Sequence, residues 1–417
     1  MPRWKAFTAA SVVFIAIVLV YTLLLPVADA STAAQPTSAV SATPSAQPTP
    51  AAPSTSADTI AKAQSQQLNT ESIEQYWSRL IGEYGGFFPD NRPPSFKELM
   101  KGETWSPIHI VKGLVRYALH EVLQNGKLLA SIVVLTVFGM ILETIQSAFE
   151  KNTVSKIAYA VSYMVIVVIA INSFAVAIGY AKDAIGEMVG FMTAMIPVLL
   201  TLLASMGNLV SVSVLHPLIV FMIHTIGTLI YVVVFPLLFF SAVLHIVSAI
   251  SERYQVTQLA DLLRNVAVAL LGVFVTAFLS VVSFQGATGA VTDGVTVRTA
   301  KYVASNFVPV VGRLFSDATD TVIGASLLVK NAVGIAGVVL LILFCAFPAI
   351  KILVLALIYK TSAAIMQPLG ANPIGVALQT VGKSMIYVFA ALAAVGLMFF
   401  LAVTIIIAAG NISVMMR

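Results

Sequence analysis

Charge is what this chain has least of. Only 10% of its 417 residues are Asp, Glu, Lys or Arg, against about 25% in an ordinary soluble domain. Hydrophobic residues make up 59%, more than one globular interior can hold. They lie in long blocks rather than in alternating or 3.6-residue patterns, and blocks of about eighteen or more read as membrane spans. The sparse charge, net +5, is scattered and carries no nucleic-acid signature. The single cysteine, Cys345, excludes an intramolecular disulfide and any CxxC site. Inside an apolar block it reads as a small buried residue. GxxxxGK[ST], HExxH and GxSxG are all missing, which removes a phosphate-cradling loop, a zinc protease site and a nucleophile elbow. The chain therefore reads as a non-enzyme, with no cofactor and no metal.

What is there begins with a targeting signal. Arg3 and Lys5 precede an uncharged apolar run over 6–26, and Ala28-Asp29-Ala30 supplies the small residues a signal peptidase needs. Residues 1–30 read as a signal peptide cleaved after Ala30, the alternative being an uncleaved anchor. Residues 31–58 are an Ala/Ser/Pro-rich tether that cannot bury enough apolar surface to offset its chain entropy. Residues 59–127 read as a small extracytoplasmic region with amphipathic helices. Ser72 to Gln75 has capping-box form, and Ile73, Trp77, Leu80 and Ile81 share a helical face. A second helix opens at Ser106-Pro107 and ends at Asn125-Gly126. It sets Ile108, Val111, Val115, Ala118, Leu119, Val122 and Leu123 against His109, Lys112, Arg116 and His120. Two roles fit this pattern: an interfacial helix on the bilayer, or a helix packed on the extracytoplasmic region.

The spans occupy 128–284 and 332–417. Residues 128–149 form the first, with Glu143 inside it, at membrane depth or at the interface. Residues 157–180 and 188–206 follow, with Lys182, Asp183 and Glu187 marking the turn between them. Residues 209–250 contain no Asp, Glu, Lys or Arg. At about 42 residues, roughly 63 Å as helix, they are twice the hydrocarbon thickness and read as a hairpin broken near Pro236. His216, His224 and His245 in it read as hydrogen-bonding partners of neighbouring helices rather than metal ligands. Residues 266–284, 332–357 and 385–409 complete about eight spans. The expected class is all-α, a polytopic helical membrane protein. The positive-inside rule agrees only in part, since Arg298, Lys301 and Arg313 fall on the outer side.

Residues 285–331 differ from their surroundings. They hold Gly286, Gly289 and Gly294 beside Asp293, Arg298 and Lys301, then Pro309, Gly312, Arg313, Asp317 and Asp320. Glycines permit turns and close approach, and charges at membrane depth face a cavity or each other. The segment reads either as a re-entrant or interfacial element lining a passage or docking a partner, or as an ordinary extracytoplasmic loop with two short helices and surface ion pairs.

Three runs in this part of the chain, DGVTVRTAKY, NFVPVVGRLFSDATDTVIGAS and QPLGANPIGVALQTVGKSM, resemble the stage III sporulation protein AE family. The resemblance covers nearly the whole mature chain, the tether excepted. It implies an endospore-forming bacterium and a multi-pass protein of the mother-cell membrane around the forespore. It also implies partners: other stage III sporulation proteins, including ring-forming subunits and an ATPase, and a forespore-side partner. Together these resemble a specialised secretion apparatus or feeding channel. No catalytic residue transfers from the family. Asp293, Arg298, Lys301, Pro309, Gly312, Arg313, Asp317 and Asp320 are therefore candidate interaction or pore-lining residues, with Glu143 a candidate intramembrane polar site. The expected function is a membrane subunit of a transenvelope channel complex, self-associating or not. The alternatives are a stand-alone secondary transporter or a scaffold with no pore.

Overall fold

The computed structural model describes residues 57–68, 70–88, 95–101, 107–148, 153–250, 256–307, 311–369 and 373–415. The expected signal peptide, the expected tether up to residue 56 and Pro309 lie outside the described residues. All regular structure among them is helical. Three short helices come first: α1 (Ala57–Gln67), α2 (Glu71–Tyr84) and α3 (Phe96–Lys101). The helices α4 (Pro107–Gln124) and α5 (Gly126–Ala148) follow. The bundle is built from α6 (Thr153–Ser205), α7 (Leu209–Leu229), α8 (Phe235–Ile250), α9 (Thr257–Phe307), α10 (Val311–Met366) and α11 (Pro373–Met415).

Among the described residues, five stretches are long and apolar enough to cross a membrane: Ala160–Ser205, Leu209–Ser248, Thr257–Ala300, Ala318–Met366 and Pro373–Met415. The α4–α5 pair, bent by 41°, makes a sixth if taken as one broken span. Fewer helices than the expected eight result because several expected breaks are helix. Lys182, Asp183 and Glu187 do not make a turn; they lie within α6, which runs unbroken for 53 residues. At roughly 80 Å it far exceeds a bilayer core of about 30 Å. Two of these charges, Glu187 and Lys182, have partners elsewhere in the fold. Arg79 of α2 donates to both Glu187 oxygens at 2.7 and 2.9 Å, and Lys182 Nζ sits 4.0 Å from the Tyr231 ring centre.

The expected hairpin over 209–250 is likewise one path. α7 passes into α8 through a π-helical segment, Ile230–Val234. Pro236 lacks an N–H and its ring crowds the carbonyl four residues back, which falls in that segment. The wider π turn absorbs the conflict without reversing the chain. Residues 285–307 are the end of α9 and 311–331 the start of α10, so the Gly-bearing segment is a hairpin of two helix ends continuous with the long helices. Its glycines mark contacts: a Cβ at Gly286 would meet Ile405, and one at Gly289 would meet Ser211. The connection between the spans expected over 332–357 and 385–409 is confined to the residues between Met366 and Pro373.

The centre is filled. Met188, Phe191, Met195 and Leu199 of α6, Leu340 and Phe347 of α10, and Leu392, Phe399 and Val403 of α11 are fully buried. Small residues let these backbones approach: Gly337 faces Met195, Gly334 faces Ile407 and Gly396 faces Cys345. The N-terminal helices are not a separate body but pack on α6 and α10. Ile73, Trp77 and Leu80 are buried as their spacing predicts, although Thr70 rather than Ser72 is the N-cap of α2. Tyr84 stacks on Phe347 with ring centres 4.0 Å apart, and Lys351 Nζ lies 3.4 Å from Glu83. Burial, and then its hydrogen bond with the Glu83 carboxylate, pushes the Tyr84 phenol well above its ordinary range.

Candidate functional site

The polar groups that an apolar bundle must account for gather at the α6–α7 turn. A helix following another at once leaves its first N–H groups without partners. Gly207 makes the turn with φ 81°, a left-handed conformation that favours glycine. Asn208 occupies the N-cap of α7 but makes no side-chain cap. Its Oδ1 instead accepts the Ser413 hydroxyl at 2.6 Å, tying the turn to the end of α11. The cap comes from α9. Val210 N–H donates to Asp293 Oδ1 at 3.0 Å and Ser211 N–H to Oδ2 at 2.9 Å. Asp293 is only 1% exposed. Its charge is balanced by the positive end of the α7 dipole as well as by the two hydrogen bonds. The helix end that elsewhere would hold an anionic ligand is thus occupied by the chain's own carboxylate.

A buried cation lies in the neighbouring helices. Lys330 of α10 has no exposed surface. Its Nζ donates to the Ile407 carbonyl at 2.8 Å and to Asn411 Oδ1 at 2.7 Å. Both acceptors are near the C-terminal end of α11, where the helix dipole favours positive charge. Gly410 leaves the room: a Cβ there would sit 2.5 Å from Nζ. Gln64 of α1 exchanges hydrogen bonds with Ser326, one turn from Lys330, at 2.9 and 3.1 Å. An open cavity of about 460 Å³ adjoins the turn, lined by Met206, Gly207, Val297, Val322 and Ile323 among others. The layer therefore joins α1, α6, α7, α9, α10 and α11 through one buried acid and one buried base, each held at a helix terminus.

Of the residues singled out in the sequence, the structure places Asp293 in this layer. Arg298 and Asp320 are exposed on the hairpin beyond it. Lys301 falls in the last turns of α9, and Gly312, Arg313 and Asp317 in the first turns of α10, with side chains outside the described residues. Pro309 lies outside them altogether, and Glu143 is in α5 with its side chain outside them. His224 Nε2 comes within 3.4 Å of Thr193 Oγ1 on the neighbouring helix, whereas His245 Nε2 lies 3.3 Å from Asp261 but makes no hydrogen bond. Sequence reasoning missed Lys330, Asn208, Asn411 and Ser413. A signal for Lys330 existed: it is the sole charged residue between 321 and 350.

Residues 93–410 match the family model described as stage III sporulation protein AE. The chain belongs to the stage III sporulation protein AE family. It is 53% identical over 362 residues to "Stage III sporulation protein AE" of Bacillus subtilis (strain 168), covering 87% of this chain and 91% of the relative. No solved structure matches. The match makes this a sporulation membrane protein, and its range takes in Asn208, Asp293, Ser326, Lys330 and Ile407 of the buried layer, while Gln64, Asn411 and Ser413 lie outside it. The Ala/Ser/Pro-rich tether precedes the range.

Gly289 tests the close approach on which the cap depends. A Cβ there would lie 2.5 Å from Ser211 Oγ and 3.2 Å from Ser211 Cα. Gly289→Val should therefore push α9 away from α7 and lower stability by about 1–3 kcal/mol. Gly272→Ala, where a Cβ meets nothing within 4 Å, should be neutral or stabilising, since alanine is the better helix former. Thermal unfolding of the two variants in detergent checks the contrast.

Proposed function

We propose that the chain is a membrane-embedded subunit of a transenvelope channel complex in the mother-cell membrane around the forespore, required for endospore development. Its partners are other stage III sporulation membrane proteins, including ring-forming subunits and an ATPase, and a forespore-side protein. The observation that carries this reading is the family match; the filled bundle centre bears on how such a subunit works. With α6, α10 and α11 closed on one another, a passage forms where this chain meets its neighbours, not through its own middle. The α9–α10 hairpin is the docking or lining element. α9 runs on from Asp293 to Phe307, roughly 21 Å of helix beyond the α7 cap. Arg298, Lys301, Gly312, Arg313, Asp317 and Asp320 are carried on it, and Pro309 falls in the sequence between its two helices.

The test is protection at the hairpin. Arg298→Cys and Val303→Cys, each in a Cys345→Ser background, replace exposed residues. Both should react with a membrane-impermeant maleimide when the chain is made alone. Both should be protected severalfold in sporulating cells that make the partners. Equal labelling in the two settings would remove the hairpin from the docking surface. Solute uptake by liposomes holding this chain alone would overturn the subunit reading in favour of a stand-alone transporter.

A further inference from the structure

We infer that α4 is an interfacial helix that binds the headgroup layer of anionic phospholipid. Its apolar stripe faces outward. Ile108 is 52% exposed, Val115 54%, Leu119 62% and Leu123 79%. The packing of α4 on the bundle uses a different face. Ile110, Tyr117 and Glu121 are buried, Gly113 approaches Phe88, and Tyr117 meets Phe347 edge-on at 5.0 Å. The stripe is thus left over after the helix has docked, and what covers it is set by the charges beside it.

Those charges have one sign. Lys112 and Arg116 are exposed, and at 100° per residue Lys112 falls within the stripe, between Leu119 and Leu123, while Arg116 lines its edge toward the buried face. Exposed Lys127 follows at the start of α5. The one acidic side chain of α4, Glu121, is turned inward, where it accepts the Tyr117 hydroxyl at 2.8 Å and Asn125 Nδ2 at 3.2 Å. An outer surface with an apolar stripe, a basic edge and no acid suits acyl chains below and anionic headgroups alongside. α4 bends by 41° into α5, and α5 exposes Val134, Phe138 and Ile141, an apolar surface that continues beyond α4. A protein partner would meet the same stripe without needing the one-signed edge, so the lipid surface is the occupant to test.

The experiment uses the full chain in nanodiscs of pure phosphatidylcholine or of phosphatidylcholine with phosphatidylglycerol. Spin labels are placed at Leu119→Cys, Leu123→Cys and, as a polar control, Arg116→Cys, in the Cys345→Ser background. The labels at 119 and 123 should be more accessible to oxygen than to a water-soluble nickel chelate, more so with phosphatidylglycerol present, and the label at 116 the reverse. Lys112→Glu with Arg116→Glu should reduce retention of phosphatidylglycerol through purification at least severalfold, with phosphatidylcholine unchanged. Preferential nickel access at 119 and 123 would place the stripe in water and overturn the inference. Protection from both reagents would assign it to a second copy or a protein partner, and also overturn it. Lipid preference left unchanged by the double charge reversal would remove the headgroup part of the claim. None of these readouts depends on the channel assignment.

Discussion

Asp293→Ala is expected to destabilise the folded chain by about 2 kcal/mol, because it leaves one buried and one part-buried N–H group at the start of α7 without acceptors. Val210 and Ser211 are those donors, and both carboxylate oxygens are engaged. Water has little access to replace them, since Asp293 is 1% exposed and Asn208 equally buried. Asp293→Asn keeps one acceptor oxygen and should lose roughly half as much. Thermal unfolding in detergent gives the order wild type, Asn, Ala. Spore yield should follow the same order, because the turn ties α6, α7, α9 and α11 together. The outcome distinguishes two roles for one residue. A carboxylate lining a passage would lose function on Asp293→Ala while leaving the melting temperature unchanged. That result would remove the capping role.

How the sequence signals fared follows from which interactions are local. Blocks of apolar residues identify the all-helical class and the long helices, because a membrane helix satisfies its own backbone. The face formed by Ile73, Trp77 and Leu80 was legible for the same local reason, and so was the start of α4 at Pro107. Span counting failed where a local punctuation mark is answered from a distance. Lys182 and Glu187 look like a turn until Tyr231 and Arg79 stand beside them. Pro236 looks like a hairpin until the π segment takes up its strain. Gly286 and Gly289 look like a loop until Ile405 and Ser211 fill the space above them. Asp293 was visible as a charge out of place. Its job was not, because its donors are 82 and 83 positions away in the chain. Lys330 was obscured by a boundary: with the span taken to start at 332, it fell among polar loop residues.

Lys330 provides the second large effect, and the choice of substitution decides what is learned. Lys330→Glu sets a carboxylate against the Ile407 carbonyl and Asn411 Oδ1, which already serve as acceptors, and places it at the negative end of α11. A buried charge deprived of its partners costs about 3–5 kcal/mol, so this variant should fail to accumulate in the membrane. Lys330→Met keeps most of the stem and removes the charge. Replacing a buried ion with an apolar side chain of similar volume is often neutral or stabilising. The Ile407 carbonyl also remains within reach of the α11 backbone ladder, which leaves Asn411 as the one side chain losing a donor. Lys330→Met should therefore accumulate to near the wild-type level on a quantitative immunoblot of the membrane fraction. If Lys330 serves only to hold α10 against α11, the methionine variant should also form heat-resistant spores normally, and that is the expected result. Normal accumulation with loss of spores would show that the charge itself takes part in the activity. The buried layer would then be a working element of the complex rather than the fastening that the helix-terminus geometry makes it.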